Sequence, residues 1–193
     1  MLTITTIIGN IKKDSQLHQK YEESVKKNTI ENVIIQRSET EKVRMRKVSD
    51  KETDIGFILP SRTHLKDGDV VFLDDTKMIV IKLSPELVAI LNIKNHLHNN
   101  HKDHEHEHKH EHEHKHEQAN DDDLTNVAIK VGHTIGNLHR PLKIENHDII
   151  FPIQSPDEIN LFLRLLSDLK DYIEIRSEQL IFEPDQGFDI HAH

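Results

Sequence analysis

Histidine is the residue type that stands out in this chain, with 17 in 193 residues. Ten of them fall between positions 96 and 116, and from His104 to His116 they alternate with Glu or Lys. Neutral imidazole suits nickel, copper and zinc. Cysteine is absent and only three methionines are present. The shortage of soft sulfur ligands argues against a copper(I) carrier and leaves nickel and zinc open.

Two further groups of histidines could also bind a metal. His139 lies past the Gly136-Asn137 stop of a predicted helix, and DIHAH places two histidines one residue apart in a tail. His133 falls on the helix side away from the apolar stripe, and histidines six residues apart do not share a helical face. The candidate ligands are His139, His191, His193, His96, His98, His101, His104, His106, His108, His110, His112, His114 and His116.

Each group of candidate histidines also has an explanation that involves no metal. The histidine-rich segment could be a solvated linker, although acidic and basic residues alone would serve that purpose. A single histidine in a loop is usually not a ligand, and the tail pair could be an accident of sequence. The alternation in the histidine-rich segment makes metal binding the favoured interpretation there.

The histidine-rich segment also divides the chain. Residues 96–123 contain only two apolar side chains, Leu97 and Ala119, so this segment cannot bury enough surface to offset its ordering entropy and is predicted to be disordered. Residues 1–83 combine β-branched runs with tight turns, one at Asp67-Gly68, and predict a small β domain, a barrel or a sandwich.

Residues 84–182 have a different pattern, β, α, β, β, α, β, typical of a ferredoxin-like domain in an α+β protein. The insert 96–123 would separate its first strand from its first helix, which is predicted to start near Asp121–Asp123. SPDE predicts a capping box, with Ser155 as N-cap and Glu158 as the third residue. Residues 183–193 form a predicted flexible tail. The two apolar stripes are Leu124, Val127, Ala128, Val131 and Ile135, then Ile159, Phe162, Leu163, Leu166 and Leu169.

Charge and composition exclude several classes of protein. The formal net charge of -9 argues against binding to nucleic-acid backbones. No apolar stretch is long enough to span a membrane and the N-terminus lacks the order of a secretory signal, so we expect a soluble, cytoplasmic protein. The chain has no glycine-rich phosphate loop, nucleophile elbow or HExxH motif, and we expect no enzymatic activity.

Three segments carry a resemblance to a known family. GHTIGNLHRP resembles the GH-x-I-G-N-x-H-x-P signature of the urease accessory metallochaperones, which carry nickel to urease during its assembly. The segment from Val43 to Asp75 is similar to that family's first domain, with its basic strand and L-x-DGDV turn. LIFEPDQGFDIHAH is similar to the family's FEP-containing end and histidine-bearing tail.

The resemblance implies a fold and a function. It implies an N-terminal β domain that binds partners and a ferredoxin-like domain that binds metal and forms a homodimer. His139 would be the metal ligand at the dimer face, supplemented by His191 and His193. The implied cargo is Ni²⁺, with Zn²⁺ possible, and the implied partners are the urease accessory GTPase and the urease pre-activation complex.

The sequence departs from the family pattern in two places. Some members carry a histidine pair before the second helix of the metal domain, where this chain has IQSPDE. Histidine-rich members more often extend the C-terminus than the loop after the first strand. The alternative interpretation is a general zinc or nickel buffer with no specific client.

Overall fold

The computed structural model describes residues 1–94 and 116–185, and for residues 116–123 it describes the backbone alone. The chain divides into two compact units, Met1–Pro85 and Glu86–His193, and belongs to the α+β class. Within the described ranges, no helix is both long enough and apolar enough to cross a membrane. The predicted disorder of the histidine-rich segment up to residue 115 concerns residues outside these ranges.

The first unit is mostly β structure in two sheets. One sheet has the order β1-β5-β4 and the other β2-β6-β7-β3. The side chains between them form one apolar core that includes Val33, Phe57 and Ile79, so the predicted barrel or sandwich is a sandwich. Its elements are β1 (Leu2–Ile4), β2 (Gly9–Asn10), α1 (Ser15–Lys26), β3 (Ile30–Ile35), β4 (Arg44–Val48), β5 (Asp54–Ile58), β6 (Asp69–Leu73) and β7 (Met78–Leu83).

The helix α1 is the element of the first unit that the sequence analysis did not predict. Asp14 caps it, because its carboxylate accepts hydrogen bonds from the amides of Gln16 and Leu17. Leu17 and Tyr21, four residues apart, pack with Met78 on the four-stranded sheet. An apolar stripe of only two large side chains is too short to stand out from the surrounding β pattern.

The predicted turn at Asp67-Gly68 is confirmed. Gly68 has a φ of +87°, which glycine adopts without strain, and β6 begins at the next residue. The Asp67 carboxylate accepts from the amide of Leu83 at 2.9 Å, and Asp69 accepts from Asn10 at 2.8 Å. The two aspartates of the DGD sequence therefore tie β2, β6 and β7 together.

A half-buried carboxylate near β4 predicts a pH-dependent stability. A hydrogen bond from Lys47 and another from the backbone of Gln36 lower the pKa of Glu39 to about 2. Because the folded pKa lies below the ordinary value of 4.5, the stabilisation is present above pH 4.5 and is lost as the pH falls towards 2. Glu39→Gln should cost about 1–3 kcal/mol of unfolding free energy at pH 6 and almost nothing near pH 2.

Urea denaturation, followed through amide resonances of β3 and β7 between pH 6 and 2, measures this difference. Glu41→Gln is the matched control, since Glu41 is exposed and lies 3.4 Å from His64. A cost for Glu39→Gln that stays the same at every pH would show that the Glu39 charge does not stabilise the unit.

The second unit contains a four-stranded antiparallel sheet with the order β11-β8-β10-β9. Two helices cover one face, where Ala89, Leu91 and Phe151 form a core with Val131 and Phe162. The order of strands and helices along the chain is the predicted one. The elements are β8 (Glu86–Ile93), α2 (His116–Asn137), β9 (Lys143–Glu145), β10 (Asp148–Pro152), α3 (Glu158–Leu165) and β11 (Ile173–Leu180).

The structure corrects the predicted starts of both helices. α2 begins at His116 rather than near Asp121, so residues 116–123 of the predicted disordered insert are helical; Glu, Gln and Ala in this stretch are good helix formers. The predicted capping box is wrong, because the N-cap residue of α3 is Asp157 and Glu158 instead accepts from the amide of Gln154. The apolar stripes are otherwise buried or half-buried, except that Ala128 and Leu163 are exposed.

Candidate metal centre

His139 lies in a tight turn directly after α2. The helix ends at Asn137, and the amide of His139 donates to the carbonyl of Gly136 at 3.0 Å. The φ of His139 is +49°, a left-handed conformation that is common just after the end of a helix. The helix ends at the predicted Gly136-Asn137 stop, but both of these residues are still helical and the left-handed residue is His139. His139 is exposed.

His133 lies six residues earlier, on the exposed side of α2, as its spacing from the apolar stripe predicts. Its Nε2 accepts a hydrogen bond from the side-chain amide of Asn137 at 2.9 Å. Among the side chains that the structure describes, no three His, Asp or Glu residues gather around one point.

Arg140 connects the His139 turn to two other elements. Its guanidinium donates to the carbonyl of Pro152, at the end of β10, and to the carboxylate of Glu158, at the start of α3, each at 2.6 Å. This contact was not predicted from the sequence, because Glu158 was interpreted as the third residue of a capping box. The one feature of the sequence that points to this contact is that Arg140 directly follows the candidate ligand His139.

The chain after β11 crosses the sheet face opposite the helices. Phe182 is 1% exposed and packs with Val88, Ile90 and Ile150 of β8 and β10. This contact gives the FEP sequence a structural role, which is to hold the chain end against the sheet.

The same segment then reaches the strand that follows the His139 turn. The amide of Asp185 donates to the carbonyl of Leu142 at 3.1 Å, and the Asp185 carboxylate accepts from the amide of Ile144 at 2.9 Å. Leu142 is three residues from His139, a distance of at most about 10 Å along the chain. The two bonds therefore fix the start of the tail close to the candidate ligand.

The other candidate ligands cannot be located in the same way. His191 and His193 lie outside the described residues. The nine histidines from His96 to His114, in the histidine-rich segment, also lie outside them. His116 is the first residue of α2. His139 is therefore the one candidate whose side chain belongs to the described part of the chain.

Comparison with known proteins shows which proteins the chain resembles. Residues 4–84 match the family model described as the N-terminal domain of the UreE urease accessory protein. Over 155 residues, the chain is 24% identical to the urease accessory protein UreE of Yersinia enterocolitica and 25% identical to that of Yersinia bercovieri. The first unit therefore resembles the N-terminal domain of the UreE urease accessory proteins.

The coverage of these comparisons is uneven. The alignments take in 79% of this chain but only 57% and 58% of the two Yersinia proteins, so the chain spans little more than half the length of these relatives. The UreE family model coincides with the two-sheet unit, Met1–Pro85, whereas the His139 turn lies in the second unit. The family model therefore does not cover the candidate metal ligand His139.

Proposed function

We propose that this chain is a nickel-binding metallochaperone that stores Ni²⁺ and delivers it for assembly of the urease metallocentre. The observation that carries the proposal is the exposed His139 turn, with the start of the histidine-bearing tail held beside it by Asp185. The similarity to UreE urease accessory proteins supports the role in urease maturation. Accessory proteins of this kind assist an enzyme, and we propose no catalysis by this chain.

The metal site of the proposal lies between two copies of the chain. A single imidazole leaves most of the coordination of Ni²⁺ unfilled. In a homodimer with a two-fold axis, the same residue from each subunit can lie side by side. Two His139 side chains then provide the fixed ligands, on a second unit for which we propose the ferredoxin-like fold.

The tail histidines complete the site in this proposal. His191 is six residues from the anchor at Asp185, so the chain between them can span up to about 20 Å. His193 follows two residues later. Asp185 bonds to Leu142 and follows the buried Phe182 by three residues. The segment that carries both histidines is therefore anchored close to His139.

The histidine tract, residues 96–116, serves as the reservoir. A flexible segment of this length has a root-mean-square span of about 25 Å, enough to bring ions from the tract to a central site. Imidazole ligands accept Zn²⁺ as well as Ni²⁺, and Zn²⁺ is the expected competitor.

The proposed partners bind the first unit. This unit holds no candidate ligand of the proposed site, and we assign residues 1–83 to contacts with the urease accessory GTPase and the urease pre-activation complex. The proposal places these contacts in the cytoplasm, without nucleic acid and without a membrane.

Transfer of labelled nickel tests the function. The full chain, loaded with radioactive nickel, is mixed with an extract that contains the urease subunits and accessory proteins but lacks this chain. We expect urease to acquire the label faster than from nickel bound to a chelator of equal affinity, and the chain to capture the accessory GTPase in a nickel-dependent manner. Equal rates from chain and chelator, without capture of any urease component, would favour a general metal buffer.

A further inference from the structure

An ion pair between Arg140 and Glu158 links the helix exit to the start of α3. The side chains of Arg140 and Glu158 are only 22% and 17% exposed. Arg140 uses two nitrogens of its planar guanidinium, Nη1 towards the Pro152 carbonyl and Nη2 towards Glu158. An arginine can satisfy both directions at once, whereas the ammonium of lysine is a compact point charge on a flexible stem.

Glu158 is itself held in place from a second direction. While Oε2 accepts from Arg140, Oε1 accepts from the backbone amide of Gln154 at 2.8 Å. The carboxylate therefore bridges the loop after β10 and the turn after α2. Both partners of the ion pair are fixed by further hydrogen bonds, so the pair has a defined geometry.

The turn that carries His139 requires such a support. A left-handed φ at a residue other than glycine costs about 1–2 kcal/mol, and it persists where the surroundings enforce it. Leu138 and Leu142 pack against the core on either side of the turn. Between these apolar contacts, Arg140 supplies the polar link to β10 and α3.

We propose that Arg140, held by Glu158, is a positioning residue for the nickel ligand His139. The inference rests on the proposed function and adds the part of the chain that fixes the ligand's direction. A positive charge beside a ligand opposes the binding of a cation, so Arg140 does not favour nickel through its charge. Its contribution is the ordering of the turn before the metal arrives, which lowers the cost of binding.

The substitution Arg140→Gln distinguishes a loss of order in the turn from a change of charge, because the two changes have opposite effects on nickel affinity. It removes a positive charge, which by itself would tighten nickel binding. It also removes the hydrogen bonds to Pro152 and Glu158 that hold the turn, which would weaken nickel binding. Changes in residues that orient metal ligands typically cost about 10–100-fold in affinity, and we expect about tenfold weaker binding at His139.

The measurement uses the full chain and a nickel buffer made with a chelator of six or more donor atoms, which leaves no coordination position of the chelated Ni²⁺ open to histidine. The buffer sets the free Ni²⁺ concentration, so ions bound by the histidine tract do not disturb the titration. Paramagnetic Ni²⁺ broadens the ring-proton resonance of His139, which is assigned by its loss in His139→Ala. The midpoint of the broadening reports the affinity at this one side chain.

Two more variants and a control complete the test. Arg140→Lys keeps the positive charge but loses the planar set of guanidinium donors, and we expect an intermediate loss of nickel affinity. If Arg140→Gln does not fold, Arg140→Lys and Glu158→Gln are used in its place. Lys130→Gln is the control, because it removes one positive charge from an exposed ion pair on α2 and should leave the midpoint unchanged.

Different results would contradict the positioning role of Arg140 and the proposed metal site at His139. Unchanged or tighter nickel binding in Arg140→Gln, or an unchanged midpoint in Arg140→Lys, would overturn the positioning role while His139 remained a ligand. A His139 resonance that nickel never broadens in the unaltered chain would instead contradict the proposed metal site itself.

Discussion

Replacement of the nine tract histidines from His96 to His114 by serine should remove most of the nickel that the chain binds and leave about one ion per dimer. At two to four imidazoles per ion, the nine side chains account for roughly two to four ions in each chain. The replacement keeps the length of the segment and its charges, and it stops before His116, where α2 begins. Equilibrium dialysis of the two proteins gives the stoichiometry.

A matched variant tests whether the carboxylates of the tract contribute. Changing Glu105, Glu107, Glu111 and Glu113 to Gln leaves every histidine in place and removes negative charge only. We expect this variant to keep nearly all of its nickel. If the serine replacement leaves the stoichiometry unchanged, the tract is not a nickel store.

The strands and helices of the second unit could be read from the sequence because their patterns are local. β8 and β11 are the first and last strands of the predicted β, α, β, β, α, β order, and α2 and α3 follow apolar stripes with a period of about 3.6 residues. The Asp67-Gly68 turn was equally predictable, since its glycine has the positive φ that the turn requires. The position of His139 beyond a Gly-Asn stop followed from the same kind of local signal.

The features that the sequence did not disclose depend on residues far apart in the chain. The Arg140–Glu158 pair spans 18 residues, and the Asp185–Ile144 hydrogen bond spans 41. Nothing in the local pattern distinguishes Glu158 as an arginine partner from Glu158 as part of a capping box. α1 was missed because its buried face has only Leu17 and Tyr21 as large apolar side chains.

His139→Ala should weaken the single site that remains outside the tract far more than His133→Ala does. In the proposed dimer, one substitution removes a ligand from both subunits at once, and we expect a loss of several kcal/mol, with each ~1.4 kcal/mol corresponding to a tenfold change in affinity. His133 instead accepts a hydrogen bond from Asn137 on the same helix, and its loss should change nickel affinity by less than about threefold.

Isothermal titration calorimetry on the background with serine in the tract is the appropriate measurement, since the tract would otherwise mask the effect. His147→Ala is a further control, because His147 is an exposed histidine of the same unit in the turn between β9 and β10. Equal losses for the variants at His139 and His133 would mean that the turn after α2 does not supply the fixed ligand. A loss confined to His139 would identify the exit of α2 as the source of the fixed nickel ligand.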